Sequence, residues 1–304
     1  MAHQHGFETD KGLSRRMFMT GLAMVALYVV VFGILASLGI SMVMIVIFEF
    51  AFLFGQYFFS DKIAMFSMQA REVTPEEAPQ LHAMVDRLCA LGDMPKPRVG
   101  IARSDVPNAF ATGRNPKASV VCVTEGIMRR LDDEQLEAVL AHELSHVAHR
   151  DVAIMTIASS LGMLAGIISR MAMWGAMFSG GGNDRDNNGS NVFLLEIATF
   201  VISIAVYVVS FLLTMSLSRY RELAADRSGA ILIGKPSVLA SALVKISGDM
   251  AKIPNNDLRK TEGMNAFFFA PAFSKGSAAS LLSTHPSLQQ RLDQLARLEK
   301  EMNS

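Results

Sequence analysis

Four long apolar runs, separated by polar blocks, dominate this chain. The first runs from Met17 to Leu35 and the second from about Met42 to Phe59, with the short break 36–41 between them. The third runs from Val152 to about Phe178, interrupted only by Arg170. The fourth runs from Phe193 to about Leu217, with Glu196 near its start. Each is close to the roughly 20 residues a helix needs to cross the hydrocarbon core. Helices buried in soluble cores are shorter and carry more polar residues, so the pattern predicts four transmembrane helices in two hairpins. Lys11, Arg15 and Arg16 precede the first run, which places the N-terminus in the cytoplasm by the positive-inside rule. Ser14-Arg15-Arg16-Met17-Phe18-Met19 is similar to a twin-arginine export signal. No small-x-small cleavage site ends the run, however, and a second apolar run follows at once, so a retained anchor is the better reading.

The polar blocks carry weaker, shorter patterns. Pro75–Leu91 has Leu81, Met84, Val85 and Leu88 at core spacing and predicts a helix. Arg98–Arg103 and Ser119–Thr124 predict strands, with a short strand and turn over Asn108–Pro116 between them. Residues 133–150 predict a helix that Asp132 caps and Gln135 completes, with Asp133 and Glu134 in the first turn, where the helix dipole favours them. Gly180–Ser190 reads as a polar loop on the non-cytoplasmic side. Residues 219–252 and 284–303 read as helices, and 254–280 as irregular and Phe-rich. The chain thus divides into a tail (1–16), a membrane hairpin (17–59), a first soluble part (60–151), a second hairpin (152–218, with its loop at 179–191) and a second soluble part (219–304). The fold class is mostly α with a small β-sheet in a polytopic membrane protein.

Composition agrees: 51% of the 304 residues are hydrophobic and only 18% charged. A net charge of zero argues against nucleic acid as a partner and leaves the lipid bilayer as the expected surroundings. Cys89 and Cys122 form no metal-spacing motif and read as buried thiols in a reducing compartment. Arg170 and Glu196 lie near the loop and read as snorkelling charges, whereas Glu49 is deeper and has no partner that the sequence assigns. Gly162 and Gly166 fit a helix-packing pattern.

The chemistry is concentrated in His142-Glu143-Leu144-Ser145-His146. On a helix, the two histidines lie one turn apart on one face and can share a cation, with Glu143 beside it to take a proton from water. A hydrolytic zinc usually takes three protein ligands. His149 cannot be the third, because it lies about two turns, or roughly 10 Å, from His142. The spacing with His149 and Val152 also excludes the metzincin pattern. Glu222, in Arg219-Tyr220-Arg221-Glu222-Leu223-Ala224-Ala225-Asp226, is the better candidate, and Asp226 would share its face and accept a hydrogen bond from a ligand imidazole. Taken alone, that stretch reads equally as the charged start of a helix outside the membrane. Topology favours the ligand: the third and fourth runs together carry the chain out and back, returning Glu222 to the side of His146.

These pieces are similar to the HtpX family of membrane-bound zinc endopeptidases, gluzincins that bind zinc by two histidines and a distant glutamate. The resemblance rests on Asn108–Gly113, Ala141–His146, Ser218–Asp226, Thr284-His285-Pro286 and Arg291, in order along nearly the whole chain. It implies a zincin-like cytoplasmic catalytic domain and one zinc ion on His142, His146 and Glu222, with Glu143 as general base. It further implies that His285 and Arg291 stabilise the oxyanion and that Asn108, Ala109 and Phe110 lie on an edge strand that binds the substrate backbone. Substrates would be proteins or peptides, membrane proteins among them, cut at the cytoplasmic face of the cell membrane (for a bacterium, the inner membrane) in quality control. A CAAX-type prenyl endopeptidase ranks below, since such enzymes enclose a chamber with more spanning helices. An inactive scaffold with a structural metal has no need of Glu143. The Phe-rich stretch 266–273 and the His-bearing N-terminal tail match nothing in the family.

Overall fold

The helix carrying both histidines forms where the sequence expects it. In this computed structural model, helix α6 runs Asp133–Ala148, and Asp132 and Gln135 make the reciprocal capping box. The Gln135 N–H donates to Asp132 Oδ1 at 2.8 Å. The structure describes residues 7, 11–37, 42–179, 187–250 and 285–304, so most of the 180–190 loop and all of the 254–280 stretch lie outside the described residues.

The described elements run α1 (Lys11–Ser37), α2 (Met42–Phe58), α3 (Ser60–Ser67), β1 (Ala70–Glu72), α4 (Pro79–Leu91), β2 (Arg98–Ala102), β3 (Ala109–Gly113), β4 (Ser119–Thr124), α5 (Glu125–Arg130), α6, α7 (Asp151–Ser179), α8 (Asn187–Ile233), α9 (Pro236–Met250) and, at the C-terminus, α10 (Leu288–Asn303). Helix α4 begins at Pro79 rather than Pro75. Thr74 and Glu77 close a turn first, with the Thr74 N–H bound by Glu77 Oε2 at 2.9 Å, and Pro79 then fits the first helical turn. The fourth apolar run and the 219–226 stretch form one continuous helix: no Gly or Pro falls between Phe193 and Asp226, and the helix runs on through Gly229 to end before Gly234, which takes φ +68°.

The chain folds as two units. The first comprises Met1–Met17, Gly55–Ala153 and Ser218–Ser304. Its sheet has the order β1-β2-β4-β3, antiparallel at both ends and parallel between β2 and β4. β3 is therefore an edge strand, with Phe110 opposite Cys122 and Ala111 opposite Val121. One core cluster joins the sheet to α6 and α4 and continues from α6 to α9 and α10, built from residues such as Leu88, Val121, Leu140, Leu243 and Leu295. A smaller cluster (Ala64, Met68, Phe110, Val120, Cys122) joins α3 to the other face of the sheet. Cys89 and Cys122 are free and buried, and burial pushes their thiols up to about 11 and about 12.

The second unit comprises Phe18–Phe54 and Ile154–Leu217. Val31, Ala165 and Val206 pack at its centre, and much of its outer surface is apolar, including Val29, Phe50 and Val201. Among the described residues, hydroxyl groups link its helices. The Tyr28 hydroxyl bonds Ser160 Oγ, Ser169 bonds Ser203 at 2.6 Å, and Thr214 donates to Ala158 O at 3.0 Å. Glu49 finds its neighbours here, in Tyr28 and Ser160. Of the two glycines in the packing pattern, a Cβ on Gly162 would meet Ser210, whereas one on Gly166 would meet no described atom within 4 Å.

Among the described residues, three helices are long and apolar enough to cross a membrane: Lys11–Gly33, Asp151–Arg170 and Ile197–Ile233. The second expected span is helical but has only 17 residues before the chain turns at Phe59, where φ −107° and ψ 10° leave the helical region.

Candidate metal centre and active site

Helices α6 and α8 meet at a glycine. A Cβ on Gly229 would fall 2.8 Å from His142 N, so the α8 backbone packs directly on α6 beside the first histidine. Glu222, Asp226 and Gly229 are four and three residues apart and occupy one face of α8. That face delivers Glu222 to both histidines. His146 Nε2 lies 3.2 Å from His142 Nε2 and 3.4 Å from Glu222 Oε1, and His142 Nε2 lies 3.8 Å from Glu222 Oε2. The three side chains are buried, and their donor atoms all lie within 4.8 Å of one another.

The residues fit a tetrahedral cation. Donors at roughly 2.0–2.1 Å from an ion in tetrahedral geometry stand about 3.3 Å from each other, close to the observed separations. The proton arrangement agrees. His146 Nδ1 is bonded to Asp151 Oδ2 at 2.6 Å, and His142 Nδ1 lies 2.9 Å from Asp226 Oδ1. A carboxylate at Nδ1 fixes the tautomer that leaves the Nε2 lone pair for a metal. The two Nε2 atoms facing each other at 3.2 Å are then both acceptors, an arrangement that a cation relieves.

Each of these aspartates is in turn held by an arginine. Arg291, fully buried, donates Nε and Nη2 to Asp226 at 2.7 and 2.6 Å, and Arg221 Nη2 lies 2.9 Å from Asp151. The result is two parallel chains, His142–Asp226–Arg291 and His146–Asp151–Arg221. Burial alone would lower the His146 imidazole, but Asp151 and Glu222 outweigh it and lift it to about 10. His142 is held low by burial despite Asp226. The pocket thus favours positive charge at the shared Nε2 corner.

Glu143, on the same turn of α6, accepts a hydrogen bond from the Ala111 N–H at 3.0 Å. Burial pushes its carboxyl up to about 8, against the pull of the nearby His146. The Ala111 N–H therefore points away from β4. By the period of two along an antiparallel strand, Ala109 and Gly113 turn the same backbone edge outward. Asn108 and Phe110 are placed differently. The Asn108 N–H and C=O both engage Thr124, at 2.9 Å each, and the Phe110 side chain is buried in the small cluster against α3. Ala109 itself is fully buried in the core, whereas Ala111 and Gly113, farther along the same edge, are partly exposed.

His285 Nδ1 lies 3.1 Å from Glu222 Oε2 and the ring is buried. Arg291, expected beside it as an oxyanion donor, directs two of its nitrogens to Asp226, and Nη1 lies 3.8 Å from Glu222. His149 is outside the cluster, edge-on to Phe7 at 6.3 Å. Asp151 and Gly229 were not singled out in the sequence, and Arg221 stood out there only as a basic residue just outside the membrane. Asp151 comes under His146 because Arg150 adopts φ 55°, a left-handed turn that ends α6 and starts α7 at once.

An HExxH helix, a glutamate from a second helix and three helices apolar enough to span define a membrane metallopeptidase. Comparison with known proteins agrees. Residues 75–299 match the profile of peptidase family M48. The chain is 52% identical to the "Protease HtpX homolog" of Moorella thermoacetica over 97% of each chain. It is 51% identical to "Protease HtpX homolog 1" of Streptomyces coelicolor over 98% of this chain and 97% of that one. It is 40% identical to the "Protease HtpX homolog" of Pyrococcus furiosus, covering 93% and 96%. The fold is similar to that in the crystal structure of Ste24p from S. mikatae, with a TM-score of 0.55 at 16% identity, over 94% of this chain and 67% of that one. The chain belongs to the HtpX group of peptidase family M48, as the resemblance in its sequence implied, and its substrates are peptides or proteins.

Proposed function

We propose that His142, His146 and Glu222 hold one zinc ion, and that the protein hydrolyses peptide bonds of membrane or misfolded proteins at the cytoplasmic face of the cell membrane. The observation that carries the reading is the trio of donors 3.2–3.8 Å apart, two of them imidazoles whose other nitrogen faces an aspartate. When bound, zinc supplies Lewis acidity at neutral pH. Glu143 takes the proton from the attacking water and returns it to the leaving amine, a role worth roughly 10²–10⁴ in rate. The substrate chain lies along the outward edge of β3, where main-chain bonding serves many sequences. His285 donates to the developing oxyanion, its ring fixed through Nδ1 at Glu222. Arg291 acts through Asp226, as a positioning group for His142.

Four spanning helices (α1, α2, α7 and α8) bring both halves of the catalytic unit to one side. Lys11, Arg15 and Arg16 before the first and Arg219 and Arg221 after the fourth mark that side as cytoplasmic. Detergent-purified protein should cleave an unfolded protein such as casein, lose that activity to a chelator and regain it with stoichiometric zinc. Activity that survives complete zinc removal contradicts the reading.

Asp151 and Arg221 do for His146 what Asp226 and Arg291 do for His142. Asp151→Asn should therefore weaken zinc binding by roughly 10–100-fold while the chain stays folded. Competition with a chromophoric chelator measures it. Unchanged affinity would remove Asp151 from the support of the site.

A further inference from the structure

Helix α3 has two faces. Ala64 and Met68 are buried against the sheet, where they pack on Phe110 of the edge strand. Phe59, Ile63 and Phe66, at i, i+4 and i+7, lie on the opposite face with relative exposures of 49%, 50% and 87%. Three large apolar side chains on one exposed stripe mark a surface that water does not favour. The stripe continues directly from α2: the Phe59 N–H bonds Gly55 O and the Ile63 N–H bonds Phe59 O, so the helical ladder carries on past the bend.

Cations and aromatic rings collect at that bend. The Lys62 ammonium lies 5.7 Å from the centre of the Phe59 ring, and the Arg114 guanidinium 5.2 Å from that of Phe58. The Tyr57 hydroxyl donates to Arg114 O at 2.7 Å. Aromatic rings with basic side chains reaching past them are the composition of a membrane–water interface. Arg114 is also the residue that follows β3. The collar therefore grips the edge strand at its end, through Tyr57, while α3 grips it from beneath, through Phe110.

We propose that α3 lies in the headgroup layer of the bilayer, with Phe59, Ile63 and Phe66 inserted among the acyl chains, and that it thereby holds the β3 edge about one helix diameter (roughly 10 Å) above the lipid. An edge at that height takes an extended segment adjoining a membrane span, which specifies the substrate class: membrane proteins cut next to a span. The proposal rests on the reading of α2 as a spanning helix and of β3 as the substrate edge.

Two measurements test it on the full chain in phosphatidylcholine vesicles. With the one tryptophan, Trp174, changed to Phe, Phe66→Trp and Phe50→Trp each carry a single indole. Lipids brominated near the headgroup should quench the indole at position 66, and deeply brominated lipids the one at position 50. Quenching at 50 without quenching at 66 leaves α2 in the membrane and overturns the proposal. Quenching at neither overturns the span as well. In the second measurement, the Ile63→Ser/Phe66→Ser variant should digest casein in detergent at the wild-type rate. In vesicles it should cut a substrate beside its membrane span at least ~tenfold more slowly, a lower bound on the cost of losing two buried apolar side chains. Equal loss on both substrates, or loss on neither, overturns the substrate assignment.

Discussion

Glu143→Gln should keep one zinc per chain and lose proteolysis by roughly 10²–10⁴. The amide is nearly isosteric with the carboxylate and its oxygen can still accept the Ala111 N–H that Glu143 Oε2 accepts at 3.0 Å. Position 143 contributes no ligand atom to the His142–His146–Glu222 group, so the metal stays. What the variant lacks is a site that can take a proton from water and give it back. Zinc content and casein digestion measured on the same preparation separate the two effects. A fully zinc-loaded variant with wild-type activity would remove Glu143 from the mechanism, and with it the reason to prefer an enzyme over a scaffold whose metal is only structural.

Glu222→Ala should lower zinc affinity by more than the roughly 100-fold expected for losing a supporting carboxylate, because it removes a ligand outright. Its two oxygens lie 3.4 Å from His146 Nε2 and 3.8 Å from His142 Nε2, and 3.1 Å from His285. Truncation leaves two imidazoles without their anionic partner. Arg291 keeps its pair with Asp226, so the α8 face retains its buried ion pair and the fold should survive. Chelator competition reads the affinity, and Glu222→Gln separates charge from packing. Full zinc occupancy in the alanine variant would exclude Glu222 from the ligand set.

The sequence made the α6 cap and the histidine pair legible because each signal was local or fixed by helical period. Glu222 stood out only through the two apolar runs that carry the chain out and back and through the family resemblance. Asp132 and Gln135 announce a helix start, and His142 and His146 share a face on any helix. Asp151 escaped because its position depends on Arg150 entering a left-handed turn, which a non-glycine residue seldom does and no short-range pattern announces. Arg291 escaped in a different way. Its partner Asp226 is 65 residues distant, so no short-range pattern showed the buried pair, and the oxyanion role expected of it came from the family resemblance alone. The edge strand was recognised but not its sides. Asn108 and Phe110 stand out by residue type, yet strand alternation turns the backbone of Ala109 and Ala111 outward. The second apolar run was legible as a helix, but the bend at Phe59 that converts its end into α3 was not.

The most direct measurement is the zinc K-edge absorption fine structure of the purified wild-type protein. One zinc per chain with two imidazole shells and otherwise oxygen neighbours is predicted. A sulfur shell, a single imidazole, or protein that is active with its zinc sites empty would contradict the assignment of His142, His146 and Glu222 as the catalytic metal site.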